Sequence, residues 1–192
     1  MKICVYGGAS VKVDSDYISA TEELGKKMAK RGHDLVFGAG GSGMMGAAAK
    51  GVFEGGGKVI GVIPKFFLDI NVEVVSRYCD DVIYTDTMRE RKQTMEETAD
   101  AFIMTPGGIG TFEEFFEILT LKQLGQLNKP IAIFNHKNYY SELLNMMECS
   151  NEKKFINDGV KKLYSVFENA DELLDFIEND KGTNLTVDVL KN

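Results

Sequence analysis

The sequence is poor in the side chains that bind transition metals or form disulfides. Its 192 residues include three cysteines, Cys4, Cys79 and Cys149, and two histidines, His33 and His136. The cysteines are odd in number and widely spaced, which favours a reducing compartment over a disulfide framework. They form no Cys-x-x-Cys pair, and the histidines have no His or Cys neighbour at ligand spacing. We therefore expect no metal site.

A basic excess and a long apolar run are missing too. Lys and Arg total 22 against 29 Asp and Glu, which gives a formal net charge of −7. This balance argues against a nucleic-acid polymer or an anionic membrane as partner, because both need a basic face. No segment approaches the roughly 18 consecutive apolar residues of a membrane span, and no signal-like apolar core is present. We expect a cytoplasmic protein, and a small anion bound by local donors stays open.

Short apolar segments alternate with helix-periodic segments along most of the chain. We predict strands at residues 2–6, 34–37, 58–63, 82–85, 101–105, 130–134 and 164–167, and helices at residues 16–31, 44–54, 89–98, 112–125, 140–149 and 170–179. Continuous apolar strands are typical of a parallel sheet covered on both faces. The alternation indicates an α/β fold with a Rossmann-like, doubly wound parallel sheet. We expect residues 1–180 to form one domain and leave the tail, residues 181–192, unassigned.

Three of the predicted strands run directly into glycine-rich loops. The loops are residues 7–10 after the first strand, 38–46 after the second and 106–111 after the fifth. In a doubly wound sheet, ligands bind at the edge where the carboxyl ends of the strands meet. Glycine there lets backbone N–H groups approach an anion, although any single loop is explained equally well as a tight turn. Three such loops on one edge favour a ligand that carries phosphate.

The second loop narrows the class of phosphate ligand. Gly-x-Gly-x-x-Gly occurs in it twice, starting at Gly38 and at Gly41. A dinucleotide site also needs an acidic residue at the end of the next strand for the ribose diol, and residues 61–65 contain none. No Gly-x-x-x-x-Gly-Lys-Ser/Thr motif exists, which excludes a Walker-type nucleoside triphosphatase. These absences disfavour a nicotinamide-dependent oxidoreductase and favour a mononucleotide or sugar phosphate.

Three cations lie in the first two turns of the helix predicted at residues 89–98. They are Arg89, Arg91 and Lys92, and they oppose the helix dipole at a cost of about 0.3–1 kcal/mol each. A solvated helix face, capped by Thr87 with Glu90, accounts for Glu90 and partly for Lys92. It leaves the two arginines unexplained. We therefore favour anion recognition for Arg91.

Two carboxylates follow the third glycine loop. Thr111 and Glu114 fit the Ser/Thr-x-x-Glu capping box, in which the carboxylate only holds the Thr111 amide, and Glu113 is then an ordinary first-turn acid. A carboxylate in this turn is also within reach of the sugar attached to a bound phosphate. There it can stabilise positive charge at an anomeric carbon or orient a water molecule. Spacing alone does not separate these two roles.

Three segments resemble the LOG (LONELY GUY) family of cytokinin riboside 5′-monophosphate phosphoribohydrolases, long called lysine decarboxylase-like. They are Met-Arg-Glu-Arg-Lys at 88–92, Ala-Asp-Ala-Phe-Ile at 99–103 and Pro-Gly-Gly-Ile-Gly-Thr-Phe-Glu-Glu at 106–114. The resemblance implies a Rossmann-like homodimer that hydrolyses the N-glycosidic bond of an adenosine 5′-monophosphate, N6-modified or plain. The products are a free base and ribose 5-phosphate. A decarboxylase needs a lysine for pyridoxal phosphate and a partner for the ring nitrogen, and no such pair is apparent.

The resemblance also assigns roles to individual residues. Arg91 and Glu114 match the catalytic pair of the family, and neither a cofactor nor a metal is implied. Ser10 and Thr120 match residues that face the nucleotide, and Glu73 matches an acidic residue that contacts substrate. The other substrate-binding residues implied in this way are Gly8, Gly41, Gly43, Met44, Lys92, Gly107, Gly108, Ile109, Gly110, Thr111 and Glu113.

Some positions depart from the family pattern. Arg89 replaces the common His, Met44 replaces Leu and Leu121 stands where many members have Trp, so the preferred base stays open. The alternative function is a nucleotide- or pterin-cofactor-binding carrier or sensor without catalysis. Retention of both Arg91 and Glu114 favours the enzyme, because phosphate binding alone needs only the glycine loops.

Overall fold

A seven-stranded sheet forms the centre of the computed structural model, which describes residues 1–69, 74–180 and 182. The strand order is β4-β3-β2-β1-β5-β6-β7, and every neighbouring pair is parallel. The strands are β1 (Lys2–Tyr6), β2 (Asp34–Phe37), β3 (Val59–Pro64), β4 (Asp81–Thr85), β5 (Ala101–Met104), β6 (Ile131–Phe134) and β7 (Ser165–Phe167).

Helices connect the strands and cover the sheet. They are α1 (Ser15–Lys30), α2 (Gly43–Glu54), α3 (Lys65–Asp69), α4 (Met88–Thr98), α5 (Ile109–Gln123), α6 (Ser141–Glu152) and α7 (Ala170–Asn179). Two short 3₁₀ helices span His136–Asn138 and Asp158–Lys162.

The direction of strand addition reverses at β1. Strands β2 to β4 are added on one side of β1, and strands β5 to β7 are added on the other. At the carboxyl end of this central pair, Tyr6 of β1 lies beside Met104 of β5. A reversal of this kind opens a crevice between the loops that follow the two strands, because their helices leave toward opposite faces. The crevice brings the first and third glycine loops together.

The two faces of the sheet pack separate cores. Along β1, Ile3 and Val5 point to one core, and Cys4 and Tyr6 point to the other. The first core is completed by α1, α2 and α7, and the second by α4, α5 and α6. In the sequence, this arrangement corresponds to helices with one apolar face and to strands that are apolar on both sides. Because α4 and α5 pack on the same face of the sheet, their N-terminal turns are neighbours at the crevice.

The expected fold class is confirmed, and the differences lie at element ends and in three short helices. Helix α5 begins at Ile109, three residues before the predicted start, so part of the third glycine loop is its first turn. Helix α3 and both 3₁₀ helices were not expected, because segments of one turn carry too little periodicity to detect. The tail at 181–192 lies outside the described residues apart from Gly182.

Within these same residues, no helix combines the length and the apolar character needed to cross a membrane. Nor does that part of the chain contain a group of three His, Cys, Asp or Glu side chains that could hold a metal ion.

Candidate active site

Backbone hydrogen bonds tie the glycine loops together at the crevice. The Gly8 N–H donates to the Pro106 carbonyl at 3.1 Å, and the Met44 N–H donates to the Gly8 carbonyl at 2.8 Å. Gly43 has a φ of +58°, and a Cβ there would lie 2.4 Å from the Gly8 carbonyl oxygen. Only glycine combines this backbone angle with so close an approach. The second loop therefore supports the first from behind.

The third loop ends in an open helix N-terminus. Gly108 is the N-cap of α5 and has no side chain to cap it, and the Phe112 N–H makes the first bond of the helix, to the Gly108 carbonyl at 2.9 Å. The N–H groups of residues 109–111 therefore point out of the helix end, as the first ones of any helix do. Gly108, Ile109 and Gly110 are exposed to solvent. Such an end attracts an anion through its N–H groups and the helix dipole.

Arg91 is held in the crevice by the backbone of neighbouring elements. Thr87 caps α4 by accepting a hydrogen bond from the Glu90 N–H at 3.1 Å, which places Arg91 in the first two turns. The arginine is 6% exposed, and its Nε donates to the Val62 carbonyl of β3 at 3.2 Å. Gly38 makes room for it, since a Cβ there would lie 1.8 Å from Nη2. The fold thus keeps a buried cation near a helix N-terminus, where the helix dipole disfavours it.

Glu114 approaches the same guanidinium from α5. Arg91 Nη1 lies 3.4 Å from Glu114 Oε1, and the glutamate side chain is 13% exposed. Charge-assisted hydrogen bonds between such groups are usually about 2.7–2.9 Å long. The two groups are therefore close enough for Glu114 to neutralise the buried charge of Arg91, but their distance is longer than that of a tight ion pair.

A cavity of about 450 Å³ opens beside this pair. Ser10 of the first loop and residues 108–111 of the third loop line one part of it, and Met45 and Phe67 add apolar surface. The cavity thus combines an anion-attracting helix end, a carboxylate with a guanidinium, and an apolar wall. This combination suits a ligand with a phosphate, a polar middle and a flat apolar group.

The core next to the pair contributes no further charge. Burial and the negative charge of Glu114 hold the pKa of the Cys4 thiol well above its usual range. Burial likewise raises the pKa of the Tyr6 hydroxyl. Both side chains therefore stay neutral at ordinary pH. Among the described residues that line the cavity, Arg91 and Glu114 are the ones that carry charge.

Comparisons with known proteins identify the family. The family model described as "Possible lysine decarboxylase" matches residues 45–177. A cytokinin riboside 5′-monophosphate phosphoribohydrolase of Arabidopsis thaliana is 36% identical over 92% of this chain and 82% of its own length. One from Oryza sativa subsp. japonica is 38% identical over 90% of this chain and 71% of its own length. The chain belongs to the LOG family. The resemblance drawn from its motifs is confirmed.

The fold of this LOG family member also occurs in more distant solved structures. The molybdenum cofactor carrier protein of Chlamydomonas reinhardtii matches with a TM-score of 0.69 and 21% identity, over 92% of this chain and 95% of that chain. At this identity the likeness shows a common fold, and a fold by itself does not determine the ligand.

Half of the predicted site residues converge on the cavity. Eight of the predicted site residues line it: Gly8, Ser10, Arg91, Gly108, Ile109, Gly110, Thr111 and Glu114. Gly107 lies just behind them and is buried against Thr111 and Gly8. The chemical roles of these residues stay predictions.

The glycines of the second loop do not line this cavity, although Met45 of the same loop does. Gly41 and Gly43 border a separate cavity of about 550 Å³, together with Lys50 and Arg77. Met44 is 2% exposed and lies beneath the first loop, where its N–H bonds to Gly8. The loop is displaced because it follows β2, and the strand order reverses between β1 and β5.

Lys92, Glu113 and Thr120 also lie away from the cavity within the single chain. Lys92 forms ion pairs with Glu113 and, at 2.7 Å, with Glu117. The Thr120 hydroxyl is exposed and donates to the Phe116 carbonyl at 2.7 Å. Residues 113, 117 and 120 follow one helical face of α5, whereas residues 111, 114 and 118 follow another. Helical spacing therefore places the contacts of Lys92 and Thr120 on a different side of α5 from the Arg91–Glu114 pair.

The start of α5 argues against the capping role considered for its first carboxylates. Because Gly108 is the N-cap, Thr111 lies inside the first turn and is not the N-cap of a capping box. Glu114 instead extends toward Arg91. Glu73, the remaining predicted contact, lies outside the described residues.

Three side chains near the cavity were not expected from the sequence. Met45 and Phe67 line it, and the Tyr139 hydroxyl donates to the Gly107 carbonyl of the third loop at 2.7 Å. Available signals were an aromatic pair directly after β3 and a second one shortly after β6. Both strands end at the edge of the sheet where ligands bind.

Proposed function

We propose that this chain hydrolyses the N-glycosidic bond of an adenosine 5′-monophosphate, N6-modified or plain, and releases the free base and ribose 5-phosphate. The observation that carries the proposal is the Arg91–Glu114 pair in one cavity with the open N-terminus of α5. The relatives at 36% and 38% identity are named for this reaction on cytokinin riboside 5′-monophosphates.

The substrate phosphate binds at the N-terminus of α5. The N–H groups of residues 109–111 and the Thr111 side chain supply donors there, and the helix dipole adds attraction for the dianion. Ser10, in the first loop, faces the same cavity. A ribose attached to this phosphate then lies beside Glu114, one turn further along the helix. The base is left with the apolar wall formed by Met45 and Phe67.

Cleavage breaks the bond between C1′ and the base nitrogen. The bonding electron pair leaves with the base, and positive charge develops on C1′ and the ring oxygen of the ribose. The Glu114 carboxylate stabilises this cation and orients a water molecule, whose oxygen bonds to C1′ while its proton goes to the base. Arg91 anchors the substrate and stabilises the negative charge that develops on the leaving base during the reaction. The two side chains thus act on opposite charges of one transition state.

A carrier without catalysis needs the phosphate site alone. Such a protein has no requirement for a buried guanidinium near a helix N-terminus, or for a carboxylate 3.4 Å away from it. The pair therefore favours the hydrolase over a nucleotide or pterin-cofactor carrier.

Base release from AMP and isopentenyl-AMP tests the proposal. We expect free base and ribose 5-phosphate in equal amounts. Glu114→Gln keeps the shape of the side chain and removes its charge, so kcat is expected to fall at least about 100-fold, the effect of losing one transition-state contact. Nucleotide binding, measured by calorimetry, is expected to be retained.

The matched control is Glu23→Gln, the same change at an exposed position on α1. We expect this variant to release base at the wild-type rate. Unchanged catalysis by Glu114→Gln would contradict the assigned mechanism. Tight nucleotide binding by the wild-type protein without base release would support the carrier instead.

We further propose that the protein acts as a homodimer in the cytoplasm. Helix α5 exposes Phe116, and Leu124 at its end is also exposed, although other side chains of this helix fill its own core. Exposed apolar side chains on one helix favour a subunit interface. Cys4, Cys79 and Cys149 are free thiols, as a reducing compartment maintains. A molar mass of one chain in light scattering at assay concentration would contradict the dimer.

A further inference from the structure

The third glycine loop is held from behind by a tyrosine outside the LOG motifs. Tyr139 lies between β6 and α6, and its hydroxyl donates a 2.7 Å hydrogen bond to the Gly107 carbonyl. Its ring packs edge-on against Tyr17 and Tyr140, with centroid distances of 5.6 and 4.8 Å. The side chain is 41% exposed. The hydroxyl is thus placed by ring contacts that a phenylalanine keeps.

Three successive carbonyls, at Thr105 just before the loop and at its first two residues, each accept a hydrogen bond. The Thr105 carbonyl accepts from the Tyr140 hydroxyl at 2.7 Å, and the Pro106 carbonyl accepts from the Gly8 N–H at 3.1 Å. The Gly107 carbonyl accepts from Tyr139. The loop therefore has its acceptors engaged on the protein side, and its orientation is determined by other parts of the fold.

The bond from Tyr139 differs from the other two in the peptide that it orients. The Gly107 carbonyl and the Gly108 N–H belong to one peptide group, and in a trans peptide they point in opposite directions. Fixing the carbonyl toward Tyr139 therefore directs the Gly108 N–H away from it. A hydrogen bond at the carbonyl also polarises the N–H of the same peptide and makes it a stronger donor. Gly108 lines the cavity, so this donor is available to a ligand there.

The structure assigns Tyr139 a role as the residue that positions the phosphate-binding backbone of this site, by orienting the Gly108 N–H. The inference rests on the proposed function, because the phosphate belongs to the nucleotide substrate. Tyr139 does not line the cavity itself, so it acts through the peptide and not on the reacting atoms.

Tyr139→Phe tests this role with a readout specific to phosphate. We expect KM for the nucleotide and Kd for ribose 5-phosphate to rise by a similar factor, about fivefold for one oriented hydrogen bond. At saturating nucleotide, kcat is expected to stay within twofold, since the Arg91–Glu114 pair is untouched. Binding of free adenine, which carries no phosphate, and the melting temperature are expected to be unchanged.

Tyr164→Phe is the matched control, because it removes a hydroxyl whose contact is the Met147 sulfur at 3.8 Å. We expect none of the five quantities to change in this variant. Weaker binding of adenine by Tyr139→Phe, or a fall in kcat with unchanged KM, would overturn the proposal.

The result is separable from that of the proposed function. If the wild-type protein binds ribose 5-phosphate but releases no base, the hydrolase proposal fails while the phosphate comparison still decides the role of Tyr139. In that case, equal ribose 5-phosphate affinity of wild type and Tyr139→Phe would overturn the positioning role.

Discussion

Arg91 is fixed in place by the protein before any ligand binds. The Val62 carbonyl accepts from its Nε, Gly38 leaves space for the guanidinium, and Glu114 supplies the opposite charge. Burying a cation is costly unless it is paired and hydrogen-bonded, and breaking such a pair costs more than omitting it. A fold that maintains this arrangement near a helix N-terminus gives up stability there, which is typical of functional sites.

Phe67 is the residue that we expect to stack on the base of the nucleotide. Its ring packs edge-on against Phe66, at a centroid distance of 4.9 Å, and lines the apolar side of the cavity. Stacking of a base on an aromatic ring contributes about 1–3 kcal/mol. We therefore expect Phe67→Ala to raise KM for AMP at least about fivefold and to leave the Kd of ribose 5-phosphate unchanged, as measured by base release and calorimetry.

Phe155→Ala serves as the control, because Phe155 is 86% exposed. It is expected to change neither constant. An equal loss of affinity for AMP and ribose 5-phosphate in Phe67→Ala would show that Phe67 shapes the whole site and does not contact the base.

At the scale of elements, the site is formed where α4 and α5 meet the end of β1. Each helix supplies one member of the charged pair from its N-terminal part, and both pack on the same face of the sheet. The loop after β2 enters this geometry through Gly38, which makes room for Arg91. The pair therefore depends on a glycine that does not itself line the cavity.

Gly38→Ala tests this dependence. A Cβ at residue 38 would lie 1.8 Å from Arg91 Nη2, so the guanidinium must move. A displacement of about 1 Å at a catalytic group costs on the order of 100-fold in rate, and we expect a loss of this order in kcat/KM. Because Arg91→Lys removes the same guanidinium, the double variant is expected to lose less than the two single losses combined. Full additivity, or an active Gly38→Ala, would contradict the dependence.

At the scale of the whole molecule, the acidic excess is partly concentrated on the outer side of α4 and α5. Three carboxylates, Glu96, Glu113 and Glu117, lie around Lys92. Glu96 also borders a groove of about 750 Å³. Burial and the charge of Glu117 raise the pKa of Glu96 to about 7, and Lys92 opposes this rise. The formal net charge of −7 counts every carboxylate as ionised, so it overstates the negative charge of the protein near neutral pH.

This shift predicts how stability depends on pH. Because the pKa of Glu96 is higher in the folded protein than in the unfolded chain, the folded state binds more protons between about pH 4.5 and pH 7. The contribution of Glu96 to the free energy of unfolding is complete below this window and is lost as the pH rises through it. We expect Glu96→Gln to gain stability relative to wild type between pH 5 and pH 8 in urea unfolding.

Glu23→Gln, at an exposed position on α1, is the control for this measurement. Its stability relative to wild type is expected to be the same at both pH values. A difference between Glu96→Gln and wild type that does not change with pH would show that Glu96 titrates normally in the folded state.

The sequence by itself determined the order of strands and helices, the parallel sheet and the family, because these follow from local periodicity and contiguous motifs. Only the tertiary structure decided which motif residues share a cavity. Arg91 and Lys92 are adjacent in the sequence, yet one reaches Glu114 at the crevice and the other pairs with Glu113 and Glu117 on the outer side of the helices. Similarly, the second glycine loop supports the first and contributes Met45, but none of its glycines, to the cavity. The reason is that a helix turns about 100° per residue and the strand order reverses at one point, so function depends on contacts that sequence spacing alone does not encode.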